Sequence, residues 1–410
     1  MNIAEIFLGV MTALGGFVDI GELVFTIQGG AKFGYRLLWV IVLGTIGIIL
    51  FAEMSGRIAA VLKRPTFELI RQQLGRRTGL GVLIASNLVN LLTCAAELGG
   101  IAIVLQLAFG GEYRLMLVAA TGLMLVSVWF LPFRWIERVF GLLGLTLLVY
   151  AWAAIALAPE WGDVAKGLIP TAPVDSAKDG VLYAYFAVGL FSSILMPYEV
   201  YFYSSGGIED KWKPKDLPVN FITSTVGFSL GALLSMSLVV VGAVVFLPRG
   251  IDPDLLSTAL LPPVAALGYK GFLLALLGVL FAIAGASVET ALAGAYNVAQ
   301  FFGKEWGKAR KPTAVPLFTA LWIAMLAAGM LIAMSGINPI KIVETSVIFA
   351  IVVLPFTYLP ILRVAGDRKL MGVHANNRLV AAAGWLMFGL IVLAALAAVP
   401  LMWATRMGEG

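Results

Sequence analysis

Apolar runs of roughly twenty residues, separated by short polar breaks, recur along the whole chain. That length fits helices crossing a bilayer, and not the alternating segments of about ten residues that make an outer-membrane barrel. Marking the runs predicts about eleven spans, near residues 5–28, 36–60, 80–109, 114–131, 139–158, 181–204, 219–247, 270–303, 314–334, 342–363 and 379–404. The expected fold class is therefore an all-α polytopic membrane protein. The connections leave no room for a soluble domain. The longest polar stretch, 159–180, holds Asp163, Asp175 and Asp179 beside Pro170 and Pro173 and reads as an external loop with a short surface or re-entrant segment.

Composition agrees with the pattern. The chain has 410 residues, 60% hydrophobic and 12% charged, with a mean hydropathy of +0.97, where a soluble protein has about a quarter of its residues charged. A soluble enzyme and a nucleic-acid binder are excluded. The net charge of +5 is read as loop charge that sets topology. Of the 28 Lys and Arg, 19 fall in alternate loops on one side, among them Arg57, Lys63, Lys211 and Arg368. The richer side is expected in the cytoplasm, which places the N-terminus inside and the C-terminus outside a cell (inner or plasma) membrane. The one cysteine, Cys94, lies in an apolar run, so no disulfide framework exists. The first run has no Lys or Arg ahead of it and no convincing cleavage site, and is read as a retained span.

Acids inside the spans carry the chemistry. Asp19 and Glu22 fall in span 1, Glu97 in span 3, Glu199 in span 6 and Glu289 in span 8, and none of these spans contains an internal Lys or Arg. A charge at a helix centre costs on the order of 2–4 kcal/mol on insertion scales, so unpaired anions there call for protons or bound cations. The plainer alternative is a neutral, protonated acid hydrogen-bonded between helices. Two of the acid-bearing spans are also predicted to be interrupted. In span 1 the run Gly15-Gly16-Phe17-Val18-Asp19-Ile20-Gly21-Glu22 sets three glycines beside two acids; in span 6 Met196-Pro197-Tyr198-Glu199 puts a proline mid-membrane. Paired interruptions in corresponding spans of two halves point to a transporter site, where unwound carbonyls and helix ends hold ions. Spans 1 and 6 are five apart, so two five-span units would be inverted relative to each other. Asp19 and Glu22 stand at i and i+3, as do Met196 and Glu199, and share a face if the local turn is helical. Carboxylate and carbonyl oxygens suit hard cations, and a thioether adds a softer ligand for transition metals.

These residues resemble the NRAMP family of divalent metal transporters, proton-coupled proteins with the LeuT-type inverted-repeat fold. The segments Ile27-Gln28-Gly29-Gly30-Ala31-Lys32-Phe33-Gly34-Tyr35-Arg36-Leu37-Leu38-Trp39-Val40 and Gly366-Asp367-Arg368-Lys369-Leu370-Met371-Gly372 are similar to the family's stretches after helices 1 and 10. Met196-Pro197 with Ser204-Ser205 fits its helix 6, and Ala96-Glu97-Leu98-Gly99 its helix 3. The resemblance implies a 5+5 arrangement with helices 1 and 6 broken: a first repeat at 1–158, the loop 159–180, a second repeat at 181–363, and a loop with helix 11 at 364–410. It implies Asp19 and Met196 as metal ligands, the carbonyl of Leu195 as a weaker one, and Glu97 as part of a proton route. The departures are informative. The family's Asp-Pro-Gly-Asn reads Asp19-Ile20-Gly21-Glu22 here, its Met-Pro-His reads Met196-Pro197-Tyr198, and a second helix 6 histidine stands as Tyr203. Cys94 replaces a helix 3 aspartate and Val353 a helix 10 glutamine. The usual basis for proton coupling is thereby reduced. Glu22 becomes a ligand of altered type, and Glu199 a further ligand or a proton carrier in place of the lost histidines. Glu289, Tyr198 and Tyr203 join the candidate proton or coupling pathway. The extra acids make the site harder, which brings magnesium beside manganese and iron.

The expected function is alternating-access transport of a divalent metal, a substrate and not a resident cofactor, with the bilayer and possible coupling protons as the other partners. The competing reading keeps the fold but moves an organic amine or amino acid with sodium or protons. An intramembrane enzyme is disfavoured: the one histidine, His374, lies in a basic loop, and no serine has a base nearby. A metal sensor that does not transport is separated from a transporter only by flux.

Overall fold

The computed structural model describes residues 19–131, 133–171 and 176–408. Among them every regular element is a helix, as a chain immersed in hydrocarbon requires, because each backbone N–H and C=O must find a partner within the segment. The main helices are α1 (Ile20–Phe33), α2 (Leu38–Leu62), α3 (Thr66–Phe109), α4 (Tyr113–Phe130), α5 (Phe133–Gly144) and α6 (Leu148–Ala156) in the first half. The second half has α7 (Ser176–Ile194), α8 (Pro197–Glu209), α9 (Leu217–Val245), α10 (Leu261–Leu267), α11 (Tyr269–Phe301), α12 (Pro316–Ala333) and α13 (Pro339–Gly366), and α14 (Arg378–Ala404) closes the chain. Each of the eleven predicted spans coincides with helix. The first does so only from Ile20; its earlier part, with Gly15, Gly16 and Val18, lies outside the described residues, as do Pro173 and Asp175 of the long loop.

Boundaries differ from expectation at two places. Span 3 begins with an extra helical turn region, Thr66 to Leu74, which bends into the main helix at Gly75 (φ 78°, ψ 168°). That backbone is open to glycine and strained for other residues. The long loop carries a short helix, Trp161–Lys166, docked where the Trp39 amide donates to the Gly167 carbonyl at 3.0 Å.

Packing follows the two-fold logic of two inverted halves. α1 lies along α9, while its counterpart span, α7 with α8, lies along α2; α3 packs on α11 and α13, while its counterpart α11 packs on α3 and α5. Close approach is achieved through small residues, since apolar surface alone gives helices little reason to associate in lipid. A side chain at Gly30 would meet the Val239 carbonyl at 2.2 Å and one at Gly242 the Ile27 carbonyl at 2.5 Å, which fixes α1 against α9.

Candidate functional site

The break in span 6 follows from one residue. Proline disfavours helical backbone in the residue before it, and Met196 is extended (φ −50°, ψ 130°) with Pro197 opening α8. Pro197 has no N–H to lose at a helix start. α7 therefore ends at Ile194, and Leu195 and Met196, both buried, cross the gap. The Leu195 carbonyl accepts from the Tyr358 hydroxyl of α13 at 3.0 Å, and that ring stacks on Phe51 of α2 at 4.1 Å. No side chain caps α8.

The start of α1 is built differently. Asp19 is its N-cap (φ −93°, ψ 179°), and Asp19 Oδ1 accepts from the Glu22 amide at 2.7 Å. Glu97 of α3 reaches across and accepts from the Ile20 amide through Oε1 at 3.0 Å. Two carboxylates thus satisfy two of the N–H groups that a helix start leaves open, where the helix dipole favours negative charge. The second Asp19 oxygen, Oδ2, accepts from the Tyr198 hydroxyl of α8 at 3.0 Å. Gly21 allows this crowding: a Cβ there would meet Val347 of α13 at 2.9 Å and Asp19 Oδ1 at 3.1 Å.

Asp19 and Glu22 do not act as one face. Because Asp19 is a cap and not a helical residue, their side chains part, and Glu22 Oε2 accepts from Ser193 of α7 at 2.6 Å. Glu22 Oε1 and Glu97 Oε2 are buried with no hydrogen-bond partner among the described residues. The first turn of α1 is accordingly tied to both halves of span 6, to α8 through Asp19 and to α7 through Glu22. Glu199 stands in the first turn of α8 and Glu289 in α11. Each of these two acids is 8% exposed, against 0–1% for Asp19, Glu22 and Glu97. Among the described residues no three Asp, Glu, His or Cys side chains converge on one ion position. A cation at the break would take one or two acids and complete its shell with backbone oxygens and the Met196 sulfur.

Tyr203 belongs elsewhere. Its hydroxyl donates to Asn220 Oδ1 of α9 at 3.0 Å, Asn220 donates to the Glu53 carbonyl of α2 at 3.0 Å, and Glu53 pairs with Arg57 at 2.9 Å. Arg57 continues to the His374 carbonyl at 2.6 Å and to Asn376 Oδ1 at 2.7 Å. This chain ties α8, α9, α2 and the loop before α14 together at the basic end of the bundle. Arg57 is thus part of an internal network as well as a topology charge, and His374 contributes its backbone oxygen to it. The pattern-based reading missed Ser193, Tyr358, Asn220 and Glu53. Only the Glu53–Arg57 pair, at i and i+4, left a local signal. Glu344 is a further acid in a span, paired with Lys341 at 3.2 Å.

The family model described as natural resistance-associated macrophage protein-like matches residues 9–400. The chain belongs to the NRAMP family. Its sequence is 27% identical over 407 residues to the divalent metal cation transporter MntH of Levilactobacillus brevis, covering 92% of this chain and 85% of that protein. It is 25% identical over 393 residues to the protein of the same description from Bacillus subtilis (strain 168), covering 92% and 87%. Among solved structures, a manganese transporter of Eremococcus coleocola, crystallised with an aromatic bis-isothiourea substituted compound, aligns with a TM-score of 0.80 at 23% identity, over 99% of this chain and 88% of that one. MhsT in complex with L-phenylalanine aligns with a TM-score of 0.65 at 14% identity, over 97% and 98%. The shared architecture is the LeuT-type fold of this NRAMP member, a multi-pass membrane protein.

Proposed function

We propose that this protein is a secondary transporter that carries divalent metal cations across a cell membrane by alternating access. The observation that carries the reading is the meeting of a helix start with the break in span 6, where Asp19, the cap of α1, is joined to Tyr198 in the first turn of α8 beside the extended Met196. The relatives named as divalent metal cation transporters support the cargo. Asp19 and Met196 are the ligand candidates, with the Leu195 carbonyl as a weaker one; Glu22 and Glu199 supply additional negative charge at the break. Glu97 is the capping acid, and Glu199 and Glu289 are more accessible than Asp19, Glu22 and Glu97 and stand on the proposed coupling route. The N-terminus is assigned to the cytoplasm, and the two repeats to 1–158 and 181–363.

The test is metal flux into liposomes holding the purified protein, with manganese, magnesium and calcium followed beside internal pH. Metal is expected to enter with little acidification, and Asp19→Asn, which keeps an oxygen to cap Glu22 but lacks the charge, is expected to fall to the liposome leak. Uptake of a labelled amine or amino acid, with no metal flux in the unmodified protein, would sink the reading.

A further inference from the structure

Tyr198 gives Asp19 something that Glu22 and Glu97 lack. Asp19 is 1% exposed, and both of its oxygens have donors supplied by the protein: the Glu22 amide at 2.7 Å on Oδ1 and the Tyr198 hydroxyl at 3.0 Å on Oδ2. Glu22 and Glu97 each keep one buried oxygen without a hydrogen-bond partner among the described residues. Hydrogen bonds to an ionised acceptor are the strong kind, and a buried carboxylate short of donors is correspondingly costly. Asp19 therefore has a donor from the protein itself on each of its oxygens.

A carrier that moves cargo one way must also return without it. On that return leg a buried ligand acid has lost its cation, and the barrier to closing around it rises unless another donor takes the place. We infer that Tyr198 is the return-leg residue of this transporter: its hydroxyl takes the Asp19 oxygen that the metal leaves, so the unloaded protein can close and reorient. The inference rests on the metal-transport reading of the same site. Tyr198 reaches Asp19 from α8, beyond the break, so donor and acid sit on two different helices. Their bond can break on loading and form again on release, joining the halves at the moment the site must shut. Tyr198 is here a positioning residue for the empty carrier and not a ligand that fixes affinity.

The two legs can be measured apart in liposomes. Net manganese uptake into metal-free vesicles needs the empty return. Exchange of labelled manganese against unlabelled manganese on both sides uses only loaded forms. For Tyr198→Phe, net uptake is expected to fall about ten- to a hundredfold, as for a lost hydrogen bond to a charged acceptor, while exchange stays within about twofold. Tyr198→His, which offers a ring N–H, is expected to recover net uptake above the Tyr198→Phe level. Retained exchange also shows that the variant is folded and still carries metal. Equal loss of net uptake and exchange, or no loss of either, would overturn the inference and leave the transport reading standing. Absence of manganese exchange in the unmodified protein would overturn the transport reading itself.

Discussion

The first turns of α1 and α8 occupy corresponding places in the two halves and are satisfied by opposite means. At α1 the open N–H groups meet carboxylates, Asp19 from the same strand of chain and Glu97 from α3. At α8 no side chain caps the helix; a proline removes one N–H, and Met196 brings a sulfur. One end concentrates negative charge on a rigid set of hydrogen bonds. The other provides an interruption held by Tyr358 on the Leu195 carbonyl and by the Tyr198 hydroxyl on Asp19. Under the proposed transport reading the difference is a division of labour: the acids at the α1 end supply the attraction for a cation, and the Met196 sulfur at the α8 end supplies the discrimination among ions.

The sharpest way to break this comparison is to remove the capping acid. Glu97→Ala leaves the Ile20 N–H without its acceptor in a fully buried place. The loss is expected to cost about 1–3 kcal/mol of stability, the price range for an orphaned buried donor. Glu97→Gln keeps an acceptor oxygen and is expected to cost clearly less. Denaturation midpoints in detergent for the two variants make the check; equal losses would show that the cap does not account for the role of Glu97. No matching loss is expected at α8, where there is no cap to lose.

The second test addresses selection. Met196→Ala removes a thioether that makes no hydrogen bond among the described residues and leaves the backbone break to Pro197. Softer transition-metal ions should lose more than hard ones, so the manganese-to-magnesium preference is expected to narrow by about tenfold, equivalent to roughly 1.4 kcal/mol. Competition uptake with both ions present measures it. A uniform drop for every ion would show that Met196 packs and does not discriminate.

These contrasts were unequally visible in the sequence. The spans were legible because a bilayer imposes one length and one composition, and the span 6 break because proline acts on its own neighbour. The Asp19 cap was half legible. The acid was singled out, yet the shared i, i+3 face was conditional on a helical turn at residue 19, and the extended backbone there (φ −93°, ψ 179°) sends Asp19 and Glu22 to different helices. Ser193, Tyr358 and Asn220 gave no signal: each is an ordinary residue whose partner lies far along the chain, and spacing within one helix carries no information on what faces it from another. Arg57 was visible as a loop charge, while its bonds to His374 and Asn376 depend on how α2 meets the loop before α14.

The smallest effect is expected where the two halves close at the basic end. Tyr203 is partly buried and donates to Asn220 at 3.0 Å, and a side chain at Gly56 would meet Asn220 Oδ1 at 2.1 Å, so the space for this contact is cut to fit. Tyr203→Phe keeps the ring, which packs edge-on against Trp212 at 5.6 Å, and removes one neutral hydrogen bond. The cost is expected to be about 0.5–1.5 kcal/mol, taken only from conformations in which α8 and α9 are joined. Asn220 retains its bond to the Glu53 carbonyl, so the Glu53–Arg57 pair stays in place. If the network is a latch of the closed basic end, Tyr203→Phe speeds labelling of a cysteine placed at Ser205 by a thiol reagent from that side, and leaves manganese affinity unchanged. If labelling is unmoved while affinity changes, Tyr203 belongs with the site around Asp19, and the separation drawn between the two ends of α8 fails.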